Sequence, residues 1–307
     1  MKKLFSQTTF LAIIACLLWS SAFVGVKIGL QYHSPLQFAG IRFFLAGLML
    51  LPVIHNFKKI RKEVSENFAF VILIAFLQVV LQYSLFYLGV NQVPASISAM
   101  IVGSSPLFAV LVAHFTIAND RINWLKMGSI LLGITGVAII TLGRKSLLSG
   151  AEIAFTGVVL LLLNNLASGI TNVVVATKKH SISPVILTSS SLFFGGLSLM
   201  VISIPVEGLP QKAFPLNYFI ALAWLSFLSA AAFSIWNTLL RRASVKVSVL
   251  NIWKFLIPVS GAILSWIILP NESPDVVSVT GMTFIGLSLV ILYRSKSQRN
   301  GDSKISI

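Results

Sequence analysis

A membrane unit with an odd number of crossings, present twice in one chain, must enter the bilayer in opposite orientations. This chain reads as such a duplication. Ser34-Pro35 opens an apolar run through Phe44, Gly47, Leu48 and Leu50. Ser183-Pro184 opens another through Phe193, Gly196, Leu197 and Leu199, each residue 149 positions after its counterpart (183 − 34 = 149). Later in each half a proline precedes an acid by 14 residues, Pro106 before Asp120 and Pro258 before Glu272. A glycine pair follows each acid, Gly128 with Gly133 and Gly281 with Gly286. Inverted repeats of this kind build carriers around a site near the bilayer midplane.

The apolar runs predict ten transmembrane helices, over 8–28, 36–55, 68–90, 94–118, 124–142, 153–176, 184–206, 214–240, 247–269 and 276–293. Most reach the roughly 20 residues that a hydrocarbon core about 30 Å thick requires. Their continuity argues against barrel strands, which alternate with period two. The expected fold is therefore all-α and integral to the membrane, with two inverted five-helix repeats at 1–146 and 147–294 and a tail at 295–307. Only 10% of the 307 residues are charged, against about 25% in soluble domains. The net charge of +15 sits in short clusters between apolar runs, which argues against a nucleic-acid partner. Cys16 is the single cysteine, so no internal disulfide can form. Ile13-Ile14-Ala15-Cys16 resembles a lipoprotein cleavage box, but the apolar run continues to Val26, and Cys16 reads as an apolar residue of the first span.

Basic residues set an expected orientation. With the amino terminus in the cytoplasm and ten crossings, 17 of the 23 Lys and Arg fall inside. The outer ends hold Lys27, Arg42, Arg144, Lys145 and Lys212, and Lys254 lies within a span. This asymmetry predicts a multi-pass membrane protein with both termini in the cytoplasm.

The chain resembles the EamA-type branch of the drug/metabolite transporter superfamily. Trp19-Ser20-Ser21-Ala22-Phe23 with Lys27 carries the likeness in span one, and Pro35 with Arg42-Phe43-Phe44-Leu45-Ala46-Gly47 in span two. Ala95-Ser96 and Ser105-Pro106-Leu107-Phe108 carry it in span four, Pro258-Val259 in span nine and Glu272 beyond. Asp120 departs from the pattern, which has glutamate there. The resemblance implies carriers of small metabolites, often amino acids, without naming a substrate.

Every carboxylate falls in a loop, at a helix end or in the tail, so a buried-acid proton relay has no residue to run through. His114 is the histidine deepest in a span, and reads first as a packing residue. Lys254 is the sharpest candidate. A lysine at mid-span costs about 2.5–3.5 kcal/mol on insertion scales. It is set either to meet a substrate carboxylate or to reach back to the interface. Lys27 and Arg42, counted along their helices, lie nearer the outer edge and read as interface-reaching or helix-end residues. Pro106 and Pro258 each remove one backbone hydrogen bond mid-span, and freed carbonyls there face protein or a wet cavity. They are the candidate hinge or pathway residues.

Uncharged polar residues complete the candidate set: Trp19, Gln78, Tyr83, Asn165, Ser168, Asn172 and Asn237, with Lys254, for substrate binding. Asn165, Ser168 and Asn172 share one helical face at spacings of three and four. Amides and hydroxyls can bind carboxylate or amine, and rings can form apolar walls. Helix–helix hydrogen bonding is the structural alternative. The glycines from Gly133 to Gly136 and from Gly281 to Gly286 suit close packing or homodimer contacts. No cofactor or metal is expected: the four histidines are scattered and no phosphate loop or nucleophile motif occurs. The expected partners are the lipid bilayer and a small-molecule substrate, zwitterionic or anionic, carried as an exporter or facilitative uniporter by alternating access. The alternatives are a sensor or assembly subunit, a proton-coupled drug exporter and, least supported, an enzyme.

Overall fold

A computed structural model describes residues 2–116, 123–147, 154–178, 181–208, 214–242, 245, 250–251 and 253–302. Asp120 lies outside the described residues. Among those described, the chain is helical throughout, with no strand. The order is α1 (Lys2–Leu30), α2 (Pro35–Met49), α3 (Leu51–Ile54), α4 (Phe57–Glu66), α5 (Phe68–Ile74), a π-helical segment (Ala75–Leu81), α6 (Gln82–Gln92), α7 (Ala95–Gly103) and α8 (Ser105–Thr116). There follow α9 (Trp124–Leu147), α10 (Phe155–Thr177), α11 (Pro184–Glu207), α12 (Leu216–Leu240), a 3₁₀ turn (Trp253–Phe255), α13 (Leu256–Ile268) and α14 (Val276–Asp302).

Eight helical runs are long and apolar enough to cross a membrane, with α5, the π segment and α6 forming one, and α7 with α8 another. Where spans nine and ten were expected stand two shorter apolar helices, Leu256–Ile268 and Val276–Leu292. Leu256–Ile268 is 13 residues long, about 20 Å at the α-helical rise, which falls short of the hydrocarbon thickness. A 3₁₀ turn precedes it, Leu250 and Asn251 are also helical, and residues 247–249 and 252 of the expected ninth span lie outside the described residues. Leu131, Ile134, Leu163, Val201, Ile220 and Ile267 are among the apolar side chains left exposed, as a lipid-facing surface requires.

Proline starts and borrowed acids define several helix entries. Pro35 and Pro184 occupy the first turns of α2 and α11, where the missing N–H costs nothing. Neither helix has a side-chain cap of its own. Instead, the Glu207 carboxylate accepts from Leu36 N at 2.8 Å and Gln37 N at 3.0 Å. Glu63 accepts from Ser183 N at 2.7 Å. Glu272 accepts from Ala95 N at 2.6 Å and Ser96 N at 2.8 Å, at the entry to α7. Each carboxylate meets the positive end of a helix dipole far away in sequence. The carboxylates at the span ends therefore act as caps.

Small residues bring the helices close. A Cβ on Gly196 would lie 2.3 Å from Phe44 N, and one on Gly47 would lie 2.6 Å from Phe193 N, so α2 and α11 cross backbone to backbone. The Ser189 hydroxyl donates to Gly47 O at 2.8 Å across the same crossing. Gly136 and Gly281 make a reciprocal approach between α9 and α14, each Cβ position 2.8 or 2.7 Å from the other's carbonyl oxygen. Gly136 and Gly281 are thus used in a contact within one chain.

Candidate functional site

Two broken helices meet at the centre of the molecule. Span four divides at Ser104 into α7 and α8, with Pro106 in the first turn of the second piece. Pro106 has no N–H to continue the ladder. The Asn165 amide, from α10, braces the chain at the break: Nδ2 donates to Ile101 O at 2.8 Å and to Ser104 Oγ at 3.2 Å. On the other side the chain runs as a 3₁₀ turn over Trp253–Phe255 and becomes α13 just before Pro258. The two breaks touch. A Cβ on Gly103 would lie 2.2 Å from Pro258 Cδ, so only glycine lets the proline ring seat there. Both prolines are buried beside the central cavity, and Ser105 and Ile257, their neighbours, contribute to its wall.

That cavity is about 60 Å³ in volume. Trp19, Gln78, Tyr83, Asn165, Ser168, Asn172 and Lys254 all stand on its wall, joined by Arg42, Gln82, Phe233 and Trp236. Gln78 arrives through the π-helical segment, whose wider turn shifts the facing of every residue after it. Asn172 is held on two sides, donating to Asn251 Oδ1 at 3.1 Å and accepting from Trp236 Nε1 at 3.2 Å. Asn237 does not reach the cavity. It is buried against α11, where its Nδ2 donates to Thr188 Oγ1 at 3.0 Å, a helix–helix contact. His114 packs edge-on against Phe115, away from the wall.

Lys254 enters from the 3₁₀ turn and is buried. Its ammonium lies 4.9 Å from the Trp236 ring centre and 5.6 Å from that of Trp19. The Ser168 hydroxyl is 3.4 Å away. Aromatic faces offset part of the cost of a desolvated cation, by up to about 2 kcal/mol each. The side chain therefore points into the cavity and not toward the interface.

Arg42 corrects the sequence reading. It does not reach outward to an interface but is fully buried, with 0% exposure. Nε donates to Leu225 O at 3.2 Å and Ser229 Oγ at 2.9 Å, and Nη1 donates to Tyr87 OH at 2.9 Å. The guanidinium carbon sits 4.9 Å from the Phe43 ring centre and 5.7 Å from that of Tyr83. Counting along a helix gives depth but not facing, and the inward face of α2 is what places Arg42 on the wall. No Asp or Glu lines the cavity among the described residues.

At one end of the bundle the segment between α1 and α2 closes on α12. Tyr218 OH and His33 Nδ1 are 2.8 Å apart, and His33 Nε2 lies 3.1 Å from Gln37 Oε1. Gln37 Nε2 donates in turn to Gly208 O. That fixes Oε1 as an acceptor, so the network assigns the proton of neutral His33 to Nε2 and makes Tyr218 the donor to Nδ1. Phe214 stacks on Tyr218 with ring centres 4.4 Å apart. Burial pushes the His33 pKa below its ordinary 6.5, while the Gln37 bond and the Glu207 carboxylate act in the opposite sense.

Comparison with known proteins agrees with this architecture. The chain is 24% identical to a probable amino-acid metabolite efflux pump of Escherichia coli, over 92% of its own length and 91% of the relative's. It is 23% identical to the uncharacterized transporter YoaV of Bacillus subtilis, covering 85% and 88% of the two chains. An uncharacterized transporter of Archaeoglobus fulgidus is 25% identical over 92% and 97%. One solved crystal structure superposes with a TM-score of 0.69 at 14% identity, covering 93% of this chain and 96% of that one, a likeness of fold. The profile of the EamA-like transporter family matches twice, over residues 7–142 and 155–294, and the chain belongs to that family of membrane transporters.

Proposed function

We propose that this protein is a carrier of small zwitterionic or anionic metabolites, amino acids among them, working by alternating access in the cell membrane. The observation that carries the substrate class is Lys254, buried on the cavity wall between Trp19 and Trp236 where no carboxylate stands among the described residues. A substrate carboxylate supplies the missing counter-charge, with Ser168, Asn172 and Gln78 to orient its other polar groups. A cationic drug would meet like charge here, which disfavours the drug-exporter alternative.

On this reading the chain crosses the bilayer ten times, as inverted repeats at 1–146 and 147–294 with both termini in the cytoplasm. The doubled family match, the α2–α11 crossing and the reciprocal Gly136–Gly281 contact support that arrangement. Pro106 and Pro258 hold the breaks around which one bundle rocks against the other. Facilitative transport is the reading favoured by a cavity wall that carries no Asp or Glu among the described residues.

The test is uptake into proteoliposomes of labelled amino acids, organic acids and cationic dyes, with and without a proton gradient, for the native protein and Lys254→Ala. Loss of one charge-assisted hydrogen bond, about 1.5–3 kcal/mol, weakens uptake roughly tenfold to a hundredfold. Saturable uptake of an amino or organic acid without a gradient, weakened to that degree in the variant, is the expected result. Movement of dyes alone, and only with a gradient, would refute both the substrate class and the facilitative mechanism.

A further inference from the structure

We infer that the cavity is built for a small dicarboxylate, one carboxylate for each of two cationic poles. The inference rests on the cavity being the substrate site, and sharpens what the site selects. Lys254 forms the first pole, against Trp19, Trp236 and Ser168. Arg42 forms the second, against Phe43, Tyr83 and Tyr87. The two clusters share no residue, and Phe233 stands between them, 5.6 Å from Trp19 and 5.9 Å from Tyr83 between ring centres.

Each pole has donors to spare. An ammonium has three protons, and Ser168 is the one hydrogen-bond partner of Lys254. Arg42 spends Nε and Nη1 on the protein, while its Nη2 is buried with no partner. An orphaned guanidinium nitrogen is costly, and a carboxylate at that position satisfies it with a charge-assisted bond. Trp19 Nε1 is a second buried donor without a partner. A monoanion at either pole leaves the other cation uncompensated in a low-dielectric site, and a neutral ligand leaves both. Two carboxylates compensate both. The two poles stand on the wall of one small cavity, which favours a compact molecule. Gln78 Oε1, a buried acceptor without a partner, suits an ammonium or hydroxyl on that molecule.

Pairs that differ by one carboxylate test this. Glutamate against glutamine and succinate against butyrate are offered to the purified protein in proteoliposomes, and to the detergent-solubilised protein in a thermal-shift titration. The expected result is uptake and stabilisation at least roughly tenfold stronger for the dicarboxylate of each pair, the worth of one charge-assisted bond. Lys254→Gln should reduce that ratio toward one. Arg42 ties three helices together and its substitution risks misfolding, so the decisive comparison is between ligands on the native protein. Glutamine or butyrate moving as well as its dicarboxylate partner overturns the two-pole inference and leaves the carrier reading intact. Failure of both dicarboxylates to move or bind overturns it as well, and the broader panel above then judges the carrier reading separately.

Discussion

The crossing of α2 and α11 makes a quantitative demand. A methyl group added at Gly196 would sit 2.3 Å from Phe44 N and 2.8 Å from Gly40 O. Those are backbone atoms of a packed helix, so no rotamer change relieves the contact and the helices must separate. Overpacking of this kind costs about 1–3 kcal/mol, and separation also stretches the Ser189–Gly47 hydrogen bond, worth about 1 kcal/mol. Alanine's better helix propensity returns about 1 kcal/mol. Gly196→Ala should therefore destabilise the protein by about 1–3 kcal/mol net. Gly128 and Gly286 provide the internal control, because a Cβ at either meets nothing within 4 Å. Alanine there collects the propensity gain alone and should leave stability unchanged or raised by up to about 1 kcal/mol. The assay is thermal unfolding of the three purified variants in one detergent, beside the native protein. The reasoning fails if Gly196→Ala melts with or above the two controls.

The borrowed caps predict that Glu207→Gln and Glu272→Gln each lower thermal stability by about 1–3 kcal/mol, since an amide keeps one acceptor but loses the charge facing two backbone N–H groups. Native-like melting of both variants would show that the acids contribute no capping energy. The closure at His33 predicts a pH dependence. Its folded pKa lies below 6.5, so the unfolded or opened state binds the proton first. Stability is full above about pH 6.5 and is lost as pH falls below it, and His33→Gln should flatten that decline. A melting profile with the same decline in the variant would remove His33 from the account.

Much of the cavity wall could be picked out from sequence because polar side chains are rare in apolar spans, and Trp19, Gln78, Tyr83, Asn165, Ser168, Asn172 and Lys254 stood out on that ground. The same rule also picks out Asn237, which lies off the cavity wall with its Nδ2 on Thr188. It also misplaces Arg42, because helical counting reports depth while facing depends on which neighbour the helix packs against. The π-helical segment over Ala75–Leu81 has no compositional mark, since its residues are ordinary apolar helix formers around one glutamine. The acids could be seen at span ends, but their partners could not. Leu36 lies 171 positions from Glu207, and only the folded arrangement brings them together. The shortness of α13 was hidden by an apolar run that continues through the 3₁₀ turn.

These placements follow from one asymmetry in how the two signs of charge can be held in lipid. A carboxylate is stabilised by backbone N–H groups, and the exposed N–H groups of a helix lie only in its first turn, near the membrane surface. Glu63, Glu207 and Glu272 are accordingly found at helix entries, each satisfied by the backbone it caps. A cation gains nothing from those entries, but it can rest on the face of an aromatic ring at any depth. Lys254 on Trp19 and Trp236, and Arg42 on Phe43 and Tyr83, use that option at the cavity. Ring faces only partly replace water, so these cations retain unused donors where the capped acids do not. The interior is thereby left with a demand for negative charge that no described side chain on the cavity wall meets, and it is this demand that the proposed anionic cargo would answer.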